Sequence, residues 1–569
     1  MVRETHNAVT EHSSLNRRRL LQVLGATGIV ATAGCLGDDD TDDDDTGDDG
    51  DDDTGDEINP WENEKFRRGV TRLIPRDAVI EQIFGGHATA LGGPISPGLG
   101  AFWDADHEQQ LLDDYVGENE EEGLQLLEEA FDELDTEPPV EINFITNVNE
   151  TRERWMEVIQ QRMDETEFID ANLDIQPFDE LVAFLVDPDG AAASTDVVGI
   201  GWTGGSDPNG HIEQLTHTDT AVPAGFNWNL YSNEEVDQLI DDGQQEMDED
   251  ARVGIYHDIQ EILAQEVPDA YMWTSDQIDI VDPRIVEDWR PYPNSSSRYW
   301  TLYRPSVGQV SSPAGDETDF VASLGANVST LDPTIVADAT SNSAVGTMCY
   351  EGLADLDFDL EEFHPNLATD WERVDETTWE FEIREGVQFH NGDEMTPEDV
   401  EFSVNRIAGT VNDASVSYVD EMDIDGNTLV VHTEFPYAPT VGDIGSVPIL
   451  PSGVEGISEE PEEDDFAFDE ESIGTGPWIL DEFNPEDRTE LLPNDDYWYD
   501  EGDHPSSPEW DSVTFREVPE QSSQQQAMLN DELHMIDNAA PWELDMWDDE
   551  PFEVVTSPAV GFDFVSYPL

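Results

Sequence analysis

The side chains able to do chemistry in this 569-residue sequence are plentiful, but they do not assemble into a catalytic set. Its one lysine, Lys65, is followed by Phe66, so a Gly-Lys-Ser/Thr phosphate loop has no place, and neither His-Glu-x-x-His nor Gly-x-Ser-x-Gly occurs. His211 and His217 flank a loop without the helical spacing that aims two imidazoles at one metal. Asp355-Leu-Asp357-Phe-Asp359 imitates the opening of a calcium loop yet lacks the glycine required at the sixth place, so a hairpin turn is predicted there. No enzymatic activity, no metal and no cofactor are expected.

Covalent chemistry is expected at the N-terminus instead. Arg17 and Arg18 precede Leu20-Leu21 and a short apolar stretch that ends in Thr32-Ala33-Gly34-Cys35, too short and glycine-rich to span a bilayer. The arginine pair resembles a twin-arginine export signal, and the tetrapeptide resembles a lipobox whose Cys35 becomes the lipidated end. Residues 1–35 are therefore read as signal and 36–57, almost wholly Asp, Gly and Thr, as an acidic flexible tether to the outer face of the cell membrane. With Cys35 lipidated, Cys349 is the other cysteine and no intrachain disulfide forms.

The charge balance is extreme: 134 Asp and Glu against 22 Lys and Arg give a net charge of −112. The acids are interleaved with apolar residues, and 15 Trp and 23 Phe supply real cores, so the chain reads as a globular protein with a solvated acidic shell, adapted to high salt. At about 1 M salt the Debye length falls to ~3 Å, which screens the self-repulsion that loosens such a shell in dilute buffer. Nucleic acid is disfavoured as a partner.

Two blocks follow the tether, joined by a Ser/Gly/Pro/Asp stretch over 306–317 that is predicted to be a loose linker. In the first, Phe66, Val70, Leu73 and Ile74 fall at helix spacing, Val140–Ile145 alternates as a strand, and Val197–Trp202 closes a run of helix and strand alternation. The second is richer in strands, with 319–324, 378–383 and 428–432 alternating around a helix at 397–407. The fold class is α/β.

From Phe320 onward the second block resembles the oligopeptide, dipeptide and nickel family of extracellular solute-binding proteins. The likeness rests on Ser329-Thr-Leu331-Asp332-Pro333, Tyr350-Glu351-Gly352-Leu353, Trp379-Glu-Phe-Glu-Ile-Arg384-Glu-Gly386, Thr396-Pro397-Glu-Asp399-Val400 and Gly474-Thr475-Gly476-Pro477-Trp478, in the family's order. The first block is similar to the family's other half through Phe66-Arg67-Arg68-Gly-Val70, Ile200-Gly201-Trp202 and Tyr231-Ser232-Asn233. That half normally comes second, so the sequence reads as a circular permutation, which compact domains tolerate when their ends lie close together.

The resemblance implies a two-lobed periplasmic-binding-protein-like fold of class II, the large peptide-binding type, circularly permuted. It assigns 58–282 to one lobe, 283–305 to a return segment and 318–569 to the other lobe, with one covalent hinge near Asp279–Pro283. It further implies a monomer that captures a peptide, sugar or similar small polar solute between the lobes and passes it to an ABC permease with separate ATPase subunits. A ligand-presenting sensor and, further off, an exported hydrolase are the alternatives. By the same resemblance the ligand residues are Trp202, Thr203, Gly204, Ala337, Asp338, Ala339 and Tyr418. Gly205 stands where peptide-binding relatives carry an acid, and Asp207 is the nearest acid.

Overall fold

A computed structural model of the protein describes residues 58–569 apart from 189, 337, 411, 462, 463 and 501–503. Helix α1 (Glu64–Leu73) starts where the Asn63 side chain accepts the Phe66 N–H at 3.2 Å, and it buries Phe66, Val70 and Leu73 along one stripe. Strand β1 (Val140–Asn147), helix α2 (Glu150–Asp164), strand β2 (Ile169–Gln176) and strand β3 (Val197–Trp202) then build a parallel sheet. Alternation divides β3 between its two faces: Val198 and Ile200 enter one core, while Gly199 lets α2 lie directly on the strand. A Cβ at Gly199 would stand 2.8 Å from the Trp155 ring.

Helices α3 (Glu234–Gln245) and α4 (Glu249–Glu266) cover the other face, α4 burying Arg252, Tyr256, Ile259 and Leu263 at helical spacing. Strand β4 (Asp269–Ser275) follows, and the chain then leaves this lobe: strand β5 (Gln277–Val281) belongs to a second, seven-stranded sheet. That sheet also holds β6 (Asp319–Leu324), which runs parallel to Ser512–Glu517. A separate four-stranded antiparallel sheet over 368–433 packs on helix Pro397–Ile407 through Val400, Val404, Phe381 and Leu429. Helix α5 (Thr440–Ser446) lies beyond it, and β7 (Met535–Ile536) and β8 (Glu553–Ser557) complete the large sheet around β5.

The chain does not end in that lobe. Strand β9 (Phe562–Ser566) returns to the first sheet and pairs antiparallel with both β3 and β4. Two segments therefore cross between the lobes, at Asp276 and at 558–561, in place of the single hinge expected near Asp279–Pro283. The expected lobe limits shift accordingly: 277–281 belongs to the second sheet and 562–566 to the first. The physical reason is that β9 fills the gap between β3 and β4, burying Phe562, Phe564 and Val565 and satisfying its backbone on both sides.

The stretch 306–317 is likewise not a loose linker. Gln309–Val310 pairs with Tyr303–Arg304, Ser312–Pro313 pairs with Val286–Glu287, and the Ser306 hydroxyl donates to Asp355. The turn at 357–362 is the expected hairpin, between Ala354–Leu356 and Phe363–Pro365, with the Asp357 side chain accepting the Asp359 and Glu361 N–H groups at 3.1 and 3.0 Å.

Candidate functional site

The carboxyl ends of β1 and β3 point toward the crossing segments, as do the carboxyl ends of β6 and β7 from the other lobe. This junction is where open α/β sheets offer loops and backbone groups to a ligand. At its hinge end lies a cavity of about 300 Å³ walled by both lobes. Pro97 and Gly98 come from the first lobe, Trp289–Pro291, Pro293, Phe358–Leu360 and Val555–Ser557 of β8 from the second, and Pro558 from the second crossing. A larger and more open hollow, of about 590 Å³, is bounded only by the turn 373–377 and touches neither crossing.

Each wall of the cavity is held by a specific contact. The Ser96 hydroxyl donates to the carbonyls of Ala559 and Val560 at 3.1 and 2.9 Å, fastening the first lobe's loop to the crossing segment. Glycine at 98 is required there, because a Cβ would stand 2.5 Å from the Ala559 oxygen. Gly100, at φ 56°, turns the loop so closely that a Cβ would meet the Leu360 oxygen of the opposite lobe at 3.2 Å. The Trp289 indole donates to Asp279 at 2.9 Å and stacks on Phe320. Pro293 O accepts from Gln277, whose own amide oxygen accepts from the buried Arg298 at 2.8 Å.

Chemically the cavity is an aromatic and proline-lined slot with few polar groups. Arg290 lies over Phe358 at 5.3 Å and pairs with Asp359, which leaves the slot no net charge from that pair. The Ser557 hydroxyl is buried without a hydrogen-bond partner among the described residues, whereas its neighbour Thr556 is exposed on the lining.

The residues expected at the ligand divide into three groups. Trp202 is half-buried, its ring packed edge-on to Phe226 and its N–H donating to Gly210 O at 3.0 Å; Thr203 is exposed beside Gly561. Gly204 is locked against Gly210 and His211, and the His211 ring donates from Nε2 to Gly205 O at 2.9 Å. Burial pushes that imidazole down to about 4, so it is neutral at ordinary pH. Gly204→Ala would put a Cβ 2.6 Å from the Gly210 carbonyl carbon and is expected to cost about 1–3 kcal/mol in chemical denaturation.

Asp207 is committed: both of its oxygens lie 3.0 Å from Arg252 Nη2, and it turns the loop by accepting the Asn209 N–H at 2.9 Å. Across the interface stand Tyr418, Tyr437 and Asp443, with the two tyrosine rings 3.9 Å apart and the Tyr437 hydroxyl donating to Asp443 at 3.0 Å. A backbone bond from Ala438 N to Gln244 O, 2.7 Å, joins the lobes at this point. Burial, reinforced by the charge of Asp207, pushes the Asp443 carboxyl up to about 8.

Asp338 caps a short helix, accepting from Ser341 N at 2.7 Å and from the Ser329 hydroxyl, and Ala339 opens that helix. Neither these nor Trp202–Asp207 lines the cavity. Ala337, Arg17, Arg18 and Cys35 lie outside the described residues. Sequence reading missed Arg252, Tyr437 and Asp443, although an arginine on the buried stripe of α4, in a chain so poor in cations, was a usable signal. Among the described residues no group of three or more His, Cys, Asp and Glu could hold a metal, and the His217 ring serves as a cap for Asp219 N.

Residues 51–221 and 362–568 match the family model described as bacterial extracellular solute-binding proteins, family 5 Middle. Protein XP55 of Streptomyces lividans is 31% identical over 232 residues, covering 38% of this chain and 40% of its own length. The glutathione-binding protein GsiB of Escherichia coli (strain K12) is 26% identical over 214 residues, covering 36% of this chain and 39% of its own. Among solved structures, the ABC transporter-associated periplasmic binding protein DppA of Helicobacter pylori, in complex with peptide STSA, is 24% identical, covers 41% of this chain and 49% of its own, and aligns with a TM-score of 0.35. The chain thus spans about two fifths of the length of the curated relatives it matches. With one matched segment falling in the first lobe and the other running through the second lobe into β9, the chain belongs to family 5 of the bacterial extracellular solute-binding proteins.

Proposed function

We propose that this chain captures a small polar solute, a peptide or related nutrient, between its two lobes outside the cell and delivers it to an ABC import permease. The observation that carries this reading is the cavity of about 300 Å³ whose walls come from both lobes and from a crossing segment, so that its shape depends on how the lobes stand. A solute that binds the shut arrangement more tightly shifts the population toward it, and a permease can read that difference. The aromatic and proline walls suit an apolar side chain, and Arg290, Asp359 and Thr556 on the same lining offer polar contacts. The relatives' printed ligands, glutathione and a peptide, favour the same solute class.

The permuted order is part of this proposal. Asn59 Nδ2 donates to Pro568 O at 2.9 Å, and Trp61 stacks on Tyr567 at 4.6 Å and 11°, so the two described ends lie together in the first lobe, as a joined pair in an ancestral order would. On this reading the lobes are 58–275 with 562–569, and 277–557. Export through Arg17 and Arg18, a lipid on Cys35 and adaptation to high salt complete it, the last supported by the charge of −112.

Filling the cavity tests the reading. In molar salt, a peptide digest is expected to raise the unfolding temperature of the natural chain, and Thr556→Trp, at an exposed lining position, is expected to weaken digest binding by about tenfold or more while changing the unliganded transition little. Equal stabilisation of both proteins would remove the cavity from the account.

A further inference from the structure

The lobe contact at Asp207, Arg252, Tyr437 and Asp443 holds one negative charge too many. Arg252 spends its guanidinium on Gly243 O, on both oxygens of Asp207 and on the Tyr256 hydroxyl. Asp207 and Arg252 therefore cancel, and Asp443, brought up from the opposite lobe on α5, adds a second carboxylate with the Tyr437 hydroxyl as its hydrogen-bond donor. Among the described residues Arg252 is the one cation acting on it: Tyr418 is buried beside Tyr437, and the backbone bond from Ala438 to Gln244 brings the two lobes together beside this group.

Two carboxylates beside one arginine at a half-buried contact disfavour each other's ionised form, whereas a proton on one of them removes the repulsion. When the lobes part, Asp443 regains water and distance from Asp207, and the reason to hold a proton disappears. We propose that the lobes close on Asp443 in its protonated form, so that shutting the cleft takes one proton from solvent and opening returns it. This rests on the reading of the chain as a two-lobed solute-binding protein. It also makes capture and release respond to the acidity at the cell surface.

The sign of the effect follows from the direction of the shift. Asp443 is held up at about 8 in the shut arrangement and falls to the ordinary carboxylate range, about 4, when the lobes part. Its contribution to closure is complete below the lower value, declines by at most about tenfold per pH unit between the two, and is gone above about 8. The groups facing it are Asp207 from the loop after β3, Arg252 from α4, and Tyr437 and Tyr418 from its own lobe; the tyrosines, pushed above their usual range by burial, stay neutral throughout.

Nitroxide labels on Glu167→Cys in the first lobe and Asp425→Cys in the second, in the full chain carrying Cys35→Ser, report the separation of the lobes in molar KCl without added solute. The short-distance population is expected to fall at least about tenfold relative to the long one between pH 5 and pH 8. Asp443→Asn, which keeps an acceptor for Tyr437 but cannot ionise, is expected to hold the short distance at both values. Two distances whose ratio ignores pH would overturn the proton latch and leave lobe movement standing, as would Asp443→Asn following the natural chain. A single distance under all conditions would overturn the latch together with the two-lobe reading.

Discussion

Arg304→Ala is expected to lower the stability of the second lobe by about 3–5 kcal/mol, the usual result of removing one partner from a buried ion pair. Arg304 is fully buried, gripping Asp355 through Nε and Nη2 at 2.8 and 2.5 Å and reaching Glu351 through Nη1 at 3.4 Å. Its guanidinium also lies 4.4 Å from the centre of the Trp300 ring. Without it, Asp355 and Glu351 remain inside with no cation, although Tyr497, Trp498 and Thr475 still donate to Glu351. Arg304→Lys should restore only part of the loss, since one ammonium cannot reproduce the two-pronged contact.

The pH dependence of that deficit has a definite sign. Burial raises the Glu351 carboxyl above its ordinary range, with Arg304 opposing, so removing the arginine raises it further. A group raised in the folded state favours folding fully below its unfolded value and loses that contribution as pH rises through the folded one. The deficit of Arg304→Ala should therefore be smaller near pH 5 than near pH 8, as read by denaturant titration in molar KCl. A deficit under about 1 kcal/mol at both values would show that the network is not what fixes this segment.

The second large effect is expected where the first and last described elements meet. Trp61 is fully buried; its ring stacks on Tyr567, its N–H donates to Thr195 O at 3.1 Å and its carbonyl accepts from Arg67 at 2.6 Å. Trp61→Ala should cost about 3–5 kcal/mol. Tyr567→Ala, which also frees Thr71 from its 2.8 Å hydroxyl contact, should cost a comparable amount. Because the rings touch, the double variant should cost about 0.5–1.5 kcal/mol less than the two single losses added together. Strict additivity would mean that the tail packs without depending on the head, and the support that this contact lends to a permuted order would go.

The difference between what was legible in the sequence and what was not is one of range. Helix α1, strand β1 and strand β3 were all visible, because the periodic spacing of apolar residues acts within a few positions. The destination of β9 was not: Phe562, Phe564 and Val565 announce a strand, but only the gap between β3 and β4 decides which sheet takes it, and those partners lie hundreds of residues away. The single-hinge expectation failed for that reason. The stretch 306–317 looked loose because Ser, Gly and Pro dominate it, yet its order comes from Arg304, Ser306 and Asp355, which composition does not reveal.

The site follows the same rule. Asp207 was legible as the nearest acid to the tryptophan strand, but its commitment to Arg252, on a different helix, was not. Asp443 and Tyr437 matter only because Ala438 meets Gln244 across the lobes. The cavity walls are drawn from four separate segments, rich in prolines and aromatics, none of which forms a motif on its own.

The most direct test of capture between the lobes is native mass spectrometry of the full chain purified in high salt and exchanged gently before ionisation. The expected result is a population heavier than the polypeptide by one small solute, which is lost on unfolding and is reduced in Thr556→Trp. A spectrum showing the bare polypeptide alone, for a protein that no peptide digest stabilises against heat, would contradict the account.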